Sequence, residues 1–472
     1  MKCAEVRPRI MLCVVLLFFF LLGNSSAQSF TKYSIDDNLD WASGVSTADV
    51  DGDLDIDVVA TGASAAEVAW YENDGAQNFT KHVVDSTLGT ARSCYGADID
   101  QDTDIDIIAA ASGADSIVWY ENDGAQNFTP HLIVDGLDSA WDIFVIDLDL
   151  DNDMDVVAVA AEANVVNWYE NDSAQNFTEH NIDAFLDGAE GLYVIDLDQD
   201  SDLDIVACGI FGDEVVWYEN DSIQNFTEHV VDPVFDGAND VFVADLDIDG
   251  DNDIVASGSQ AGQVKWYEND GMQNFTSQAV GNLQGARAVF VANINGDSLP
   301  DIVSVSLSQD MVVWFENTGG GVYVSHIIDN LLDLAFGLFA DDLDGDGDLD
   351  VLATGGMADD LVWYESDLVG VVENEISMPS RSDIIALYNQ PNPFTRRTKF
   401  SFDIQEPLSL TLSIYNTSGQ LVQTLTQAAQ VGHIEMVWDR HDAQGDRVAS
   451  GIYFYKVETA TFNAYGHMCV ID

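Results

Sequence analysis

Asp342-Leu343-Asp344-Gly345-Asp346-Gly347-Asp348-Leu349-Asp350 alternates aspartate with small or apolar residues, then runs straight into the apolar stretch Val351-Leu352-Ala353. The pattern occurs seven times, beginning at Asp49, Asp98, Asp147, Asp196, Asp245, Asn293 and Asp342, a step of 49 residues except for one of 48. Self-similarity at this period marks solenoids and propellers, in which one supersecondary unit is stacked repeatedly.

Aligning the units on one another gives four strand-like pieces in each. In the second unit they cover 91–97, 107–111, 117–121 and 128–134, each short, apolar or alternating, and bounded by turn residues. Four strands per unit of this length describe a propeller blade. The expected fold is therefore all-β: a seven-bladed β-propeller over 28–367, followed by a small immunoglobulin-like β-sandwich. The phase of the repeat also predicts how the ring closes. Phe30-Thr31-Lys32-Tyr33-Ser34-Ile35-Asp36 matches the last strand of a unit, Phe79-Thr80-Lys81-His82-Val83-Val84-Asp85, whereas the seventh unit stops after Trp363-Tyr364-Glu365. Residues 30–36 should supply the missing outermost strand of the seventh blade, which removes an open sheet edge.

With 472 residues the chain is long enough for a large core and a second domain. Hydrophobic residues make up 47%, so the net charge of -68 does not signal disorder. It excludes nucleic acid and anionic membrane as partners and calls for cations. The cysteines, Cys3, Cys13, Cys94, Cys208 and Cys469, are too scattered for a disulfide framework. The chain opens with Lys2, Arg7 and Arg9, an apolar run over 10–22 and the small residues Ser25-Ser26-Ala27, which reads as a signal peptide over 1–27. No later stretch is long and apolar enough to span a membrane. Residues 368–386 read as a linker and 387–472 as the β-sandwich. Its strands are expected near 399–404, 409–416, 435–438 and 451–457.

Carboxylates at alternate positions of a tight loop converge only around a cation, because like charges this close otherwise repel. Hard oxygen donors in this number suit calcium. In these residues the chain resembles the calcium-loop propeller repeats of integrin head domains and of many secreted bacterial proteins. The resemblance implies that side chains at loop positions 1, 3, 5 and 9 and the carbonyl of position 7 bind calcium. Carried onto this chain, up to seven sites follow. The first three are Asp49, Asp51, Asp53 and Asp57 with Asp55; Asp98, Asp100, Asp102 and Asp106 with Asp104; and Asp147, Asp149, Asp151 and Asp155 with Asp153. The next two are Asp196, Asp198, Asp200 and Asp204 with Asp202, and Asp245, Asp247, Asp249 and Asp253 with Asp251. The sixth, Asn293, Asn295, Asp297 and Asp301 with Leu299, is less charged, and the seventh is Asp342, Asp344, Asp346 and Asp350 with Asp348. Position 6 favours glycine, which Gly250 and Gly347 supply. Leu54 and Thr103 stand there in the first two loops, which are expected to bind most weakly.

Columns repeated in every unit argue against a single active centre. The tryptophans Trp70, Trp119, Trp168, Trp217, Trp266, Trp314 and Trp363 are expected to pack between blades. The histidines His82, His131, His180, His229 and His326, and the glutamates from Glu72 to Glu365, fall on different blades and cannot meet at one metal. The Asn-Phe-Thr sequons read as strand sequence.

Function is sought where the units disagree. After an alanine near the start of each innermost strand stands the column Ser43, Arg92, Trp141, Glu190, Asn239, Arg287 and Phe336, which changes character from blade to blade. It should rim the central channel at the end opposite the calcium loops. A second variable column on the same face reads Ser64, Gly113, Glu162, Phe211, Gln260, Ser308 and Met357. Binding residues gather on loops held by a rigid scaffold.

Leu387-Tyr388-Asn389-Gln390-Pro391-Asn392-Pro393-Phe394, Ile414-Tyr415-Asn416-Thr417-Ser418-Gly419-Gln420 and Ser450-Gly451-Ile452-Tyr453-Phe454-Tyr455 resemble the C-terminal sorting domain of the bacterial type IX secretion system. The resemblance implies the type IX machinery as a partner and an extracellular or outer-surface location. The end, Met468-Cys469-Val470-Ile471-Asp472, departs from the basic, lysine-containing end usual there. Three classes of function remain open: a calcium-stabilised, monomeric binding or adhesion module for glycan or protein, a polysaccharide-active hydrolase or lyase, and a purely structural surface protein. No nonrepeated Ser/His/Asp, Cys/His or close carboxylate constellation marks an enzyme.

Overall fold

The second strand of each blade decides the architecture. Asp106–Ala111 is buried at every position, as is its counterpart in each other blade. A run as apolar as Ile107-Ile108-Ala109-Ala110 has no solvent face to offer, so it must be covered on both sides. The computed structural model describes residues 28–297, 299–367, 384–390, 396–404, 408–416, 421–429, 432–441, 447–448, 451–458 and 463–470. The signal peptide expected over 1–27 and residues 368–383 of the linker expected over 368–386 lie outside them. The described residues fall into two compact units, divided between Gly370 and Val371.

The first unit is a ring of seven four-stranded antiparallel sheets. In the second blade the strands are Ala91–Ala97, Asp106–Ala111, Ser116–Asn122 and Phe128–Asp135, innermost to outermost. Neighbouring blades cover each other's apolar faces. Trp119 of the second blade packs with Leu137, Ala140, Ile143 and Tyr169 of the third in one buried cluster, and the other blade pairs repeat this arrangement. The tryptophans therefore do pack between blades. They also stack on the outermost strand: Trp70 lies 4.5 Å from His82 and Trp168 lies 4.5 Å from His180, ring centre to ring centre.

Closure follows the phase of the repeat. Ser29–Asp36 pairs antiparallel with Asp360–Asp367, in the sheet order first strand, third, second and innermost strand of the last blade. The first and last strands of the propeller thus complete one blade, and Ser29–Asp36 pairs the edge of Asp360–Asp367 that would otherwise stand open.

Every innermost strand carries a register shift at its start. Ala140 faces Ala160 and Asp142 faces Val159, so Trp141 is the extra residue of a β-bulge. Arg92, Glu190 and Asn239 are skipped in the same way. In the first, sixth and seventh blades the shift takes in Ser43, Arg287 and Phe336 together with the residue that follows each. A bulge breaks the ladder and re-aims the side chain of the residue it frees. The variable column is this freed residue.

The second unit holds two antiparallel sheets. One contains Ile384–Gln390, Thr398–Ile404 and Gly432–Trp438; the other orders Leu421–Ala429, Leu408–Asn416, Gly451–Glu458 and Asn463–Val470. The four expected strands are present. Leu421–Ala429 and Asn463–Val470 were not expected, and Ile384–Gln390 begins inside the span assigned to the linker. Its apolar start, Ile384-Ile385-Ala386-Leu387, pairs with Thr398–Ile404, which gives it a place in the sheet. Among the described residues no helix is long and apolar enough to cross a membrane.

Candidate functional site

The acidic loops join the two innermost strands of each blade, and position 9 is their anchor. Asp57 Oδ2 accepts the Val50 N–H at 3.0 Å and its Oδ1 accepts the Asn73 N–H at 2.8 Å. The same pair of bonds holds Asp106, Asp155, Asp204, Asp253, Asp301 and Asp350. The other carboxylates fold the loop onto itself. In the third loop Asp147 accepts the N–H groups of Asp151 and Asn152, and Asp149 and Asp151 accept those of Asp151 and Asp153.

These bonds gather the carboxylates. Oxygens of positions 1, 3 and 9 lie within 4.8 Å of one another in the second to fifth loops, and those of Asp49, Asp51 and Asp53 do so in the first. Position 7 turns its side chain away: a Cβ on Gly75 would lie 2.3 Å from Asp55 Oδ2, and Gly124 and Gly271 crowd Asp104 and Asp251 equally. Only the main chain of position 7 is left for the loop interior, as the carbonyl role requires. Burial, with repulsion from neighbouring carboxylates, pushes Asp57 up to about 7, Asp204 to about 7 and Asp350 to about 8. A buried Oδ1 at position 1 has no partner among the described residues in Asp49, Asn293 and Asp342. Clustered carboxylates and orphaned oxygens fit a hard divalent cation, and the oxygen-only donor set fits calcium.

Position 6 has a left-handed backbone in all six loops where it is described, from Asn152 at φ 79° to Gly250 at 101°. Leu54 and Thr103 adopt it at 80° and 85°, a conformation that resists bulky and β-branched residues. Position 4 is left-handed too, and this was not foreseen: Ile248 sits at φ 60° and Leu150 at 63°. Strain is thus spread over more loops than the first two.

At the other end of the channel the seven bulged residues meet. Ser43, Arg92, Trp141, Glu190, Asn239, Arg287 and Phe336 all line one cavity of about 180 Å³. Arg287 Nη1 lies 2.6 Å from Glu190 Oε2, with both side chains nearly buried, and Asn239 Nδ2 donates to the same oxygen at 3.1 Å. The Arg287 guanidinium sits 4.6 Å from the Phe336 ring centre and 5.3 Å from that of Trp141. Arg92 lies 4.6 Å from Trp141 and 5.7 Å from Phe336. Beneath, Asp142 accepts the Ser93 hydroxyl at 2.8 Å, and Asp240 accepts the Val289 N–H of the next blade at 2.9 Å. Lower still, Tyr95, Phe144, Tyr193, Phe242, Phe290 and Phe339, one from each of six successive blades, touch ring to ring around the channel wall.

The second variable column does not join this site. Ser64, Gly113, Glu162, Phe211, Gln260, Ser308 and Met357 are exposed on the turns between second and third strands, and none lines the cavity. These turns project outward from strands that are themselves one layer removed from the axis. A larger groove of about 520 Å³, walled by Trp217, Glu219, His229 and Phe275, lies at the outer strands. Its walls are mostly framework columns, so it carries little blade-specific chemistry.

One framework column was missed. Asn122 donates to the Val50 carbonyl of the preceding loop and to the Ile105 carbonyl of its own, while its Oδ1 accepts the N–H groups of Gly124 and Gln126. Asn73, Asn171 and Asn317 likewise reach the preceding loop. In these four blades they stitch the acidic loop to the one before it. The signal was the asparagine that follows the Trp-Tyr-Glu or Trp-Phe-Glu triplet in six units, with Ser366 in the seventh.

Geometry defines the class: a seven-bladed β-propeller with an acidic loop in each blade and one asymmetric channel mouth. The sequence agrees, because residues 49–109, 98–158, 245–304 and 293–353 match the FG-GAP-like repeat, and residues 389–462 match the FlgD Ig-like domain. Comparison with curated proteins gives no match. Among solved structures, the streptogramin B lyase structure aligns with TM-score 0.51 at 9% identity, covering 72% of this chain and 98% of that one. The crystal structure of BBS1N in complex with ARL6DN aligns with TM-score 0.50 at 13% identity, covering 71% and 95%. At these identities the likeness shows the fold alone.

Proposed function

We propose that the chain is a calcium-stabilised binding module that takes a glycan or protein ligand at the channel mouth, on the face opposite the acidic loops. The observation that carries this reading is the convergence of the variable column: seven bulges deliver seven unlike side chains to one cavity. A symmetric framework that breaks its symmetry at one place marks that place as the site where selectivity lies. The acidic loops would hold calcium through positions 1, 3, 5 and 9 and the position 7 carbonyl. Calcium would there neutralise the gathered carboxylates and stiffen the strands that carry the mouth.

The leader and the resemblance of 387–472 to a sorting domain support export by the type IX machinery to the cell surface or beyond. Glycan and protein arrays probed with the full chain, with and without chelator, test the binding reading. Binding that survives Trp141→Ala and Arg287→Ala unchanged would reject the mouth as its site.

A further inference from the structure

The propeller contains five basic residues, and four of them are neutralised. Lys32 pairs with Asp329, Lys81 with Asp36 and Glu67, Lys265 with Asp232, and Arg287 with Glu190, all at 2.5 to 2.8 Å. Arg92 is the exception: among the described residues no carboxylate lies within ion-pair distance of it. In a chain with 83 acidic residues that exception is a built feature.

The geometry of Arg92 shows what it offers. Its Nε donates to Ser112 Oγ at 3.1 Å and its guanidinium stacks near the Trp141 ring. Stacking covers the face of the guanidinium and leaves its edge, where the two terminal nitrogens form a fork that matches a carboxylate. Burial and the adjacent Arg287 both disfavour its charge, so an incoming anion relieves it. Across the mouth Glu190 uses Oε2 for both Arg287 and Asn239. Its Oε1 has no protein partner among the described residues and is left to accept from an incoming hydroxyl. The carboxylates beneath are turned into the wall, Asp142 onto Ser93 and the Ile143 N–H, Asp240 onto the N–H groups of Val241 and Val289.

We propose, building on the mouth as the binding site, that the cavity takes a carboxylate-bearing sugar residue: the carboxylate on the Arg92 fork and a ring hydroxyl on Glu190 Oε1. A cavity of about 180 Å³ admits one such residue. A peptide offers Glu190 one N–H per residue beside a carbonyl that the carboxylate repels, whereas one sugar ring offers several hydroxyl donors. The net charge of -68 opposes a long polyanion lying across the protein, so the group recognised is a chain end.

Calorimetry with the full chain in calcium tests this, using a short oligogalacturonate, its carboxyl-reduced counterpart and an aspartate-rich peptide as probes. The expected result is binding of the oligogalacturonate, at least tenfold weaker binding of the reduced form, and Arg92→Gln binding both equally. Arg92→Lys should restore only part of the difference, since an ammonium lacks the fork. Equal binding of the two glycans by the native chain, or an unchanged preference in Arg92→Gln, overturns the carboxylate assignment. If Trp141→Ala still abolishes glycan binding in that case, the mouth survives as the site. Binding of the peptide alone overturns the sugar, and binding of no probe here or on the arrays removes both readings. Thermal melting of Arg92→Gln confirms that the variant is folded.

Discussion

Arg287→Ala removes one half of a nearly buried ion pair, and the structure fixes what that costs. The pair is 2.6 Å long, with the two side chains 8% and 9% exposed. Breaking such a pair from one side leaves an uncompensated charge and costs about 3–5 kcal/mol. Loss of the aromatic contacts with Phe336 and Trp141 adds about 0.5–2 kcal/mol. Glu190 keeps the Asn239 donor at 3.1 Å and gains water through the open mouth, which places the total near the lower bound, about 3 kcal/mol. Replacing both partners with apolar residues, Arg287→Met with Glu190→Leu, strands no charge, and its net cost should stay within about 1 kcal/mol. Urea unfolding at fixed calcium and low salt measures both, since guanidinium would screen the pair. A single Arg287→Ala loss below about 1 kcal/mol, or strict additivity of the two sites, would refute the reasoning.

Three further outcomes follow from the same geometry. Chelator should lower Tm by far more than about 2 °C, because each site filled at 100-fold over its Kd adds about 2.7 kcal/mol; an unchanged Tm would remove the calcium role. Asn122→Ala strips two loop carbonyls and two loop N–H groups of their partner, and a loss of about 2–4 kcal/mol is expected in thermal or urea unfolding. Burial raises Asp142 to about 6 and Asp240 to about 7, so the folded protein binds more protons than the unfolded chain between about pH 4 and 7. In calcium-saturated protein stability should therefore fall as pH rises from about 4 and level off above about 7, and Asp240→Asn should flatten that slope.

Much of this was legible because repeats expose their own rules. The ladder Asp342 to Asp350 fixed blade number and loop position, and the orphan strand at Phe30 to Asp36 announced the closure. The variable column was visible because its neighbours do not vary. Its placement on β-bulges was not visible, since a bulge is a matter of register between strands and leaves no residue-type signature at Trp141 or Arg92. The left-handed position 4 was hidden for a similar reason: Ile248 is a residue that sequence reasoning never assigns there. Asn122 was overlooked because an invariant polar residue at a strand end reads as a turn until its partners are seen. In the second unit, Leu421–Ala429 has the polar face of an edge strand, so its alternation is weak.

Hydrogen exchange with and without bound ligand bears most directly on the mouth as the binding site. Protection is expected at the bulges, residues 91–93, 140–142, 189–191 and 286–288, with the acidic loops at 49–57 and 147–155 unchanged. Protection confined to the acidic loops, with the bulges exchanging as before, would contradict the account.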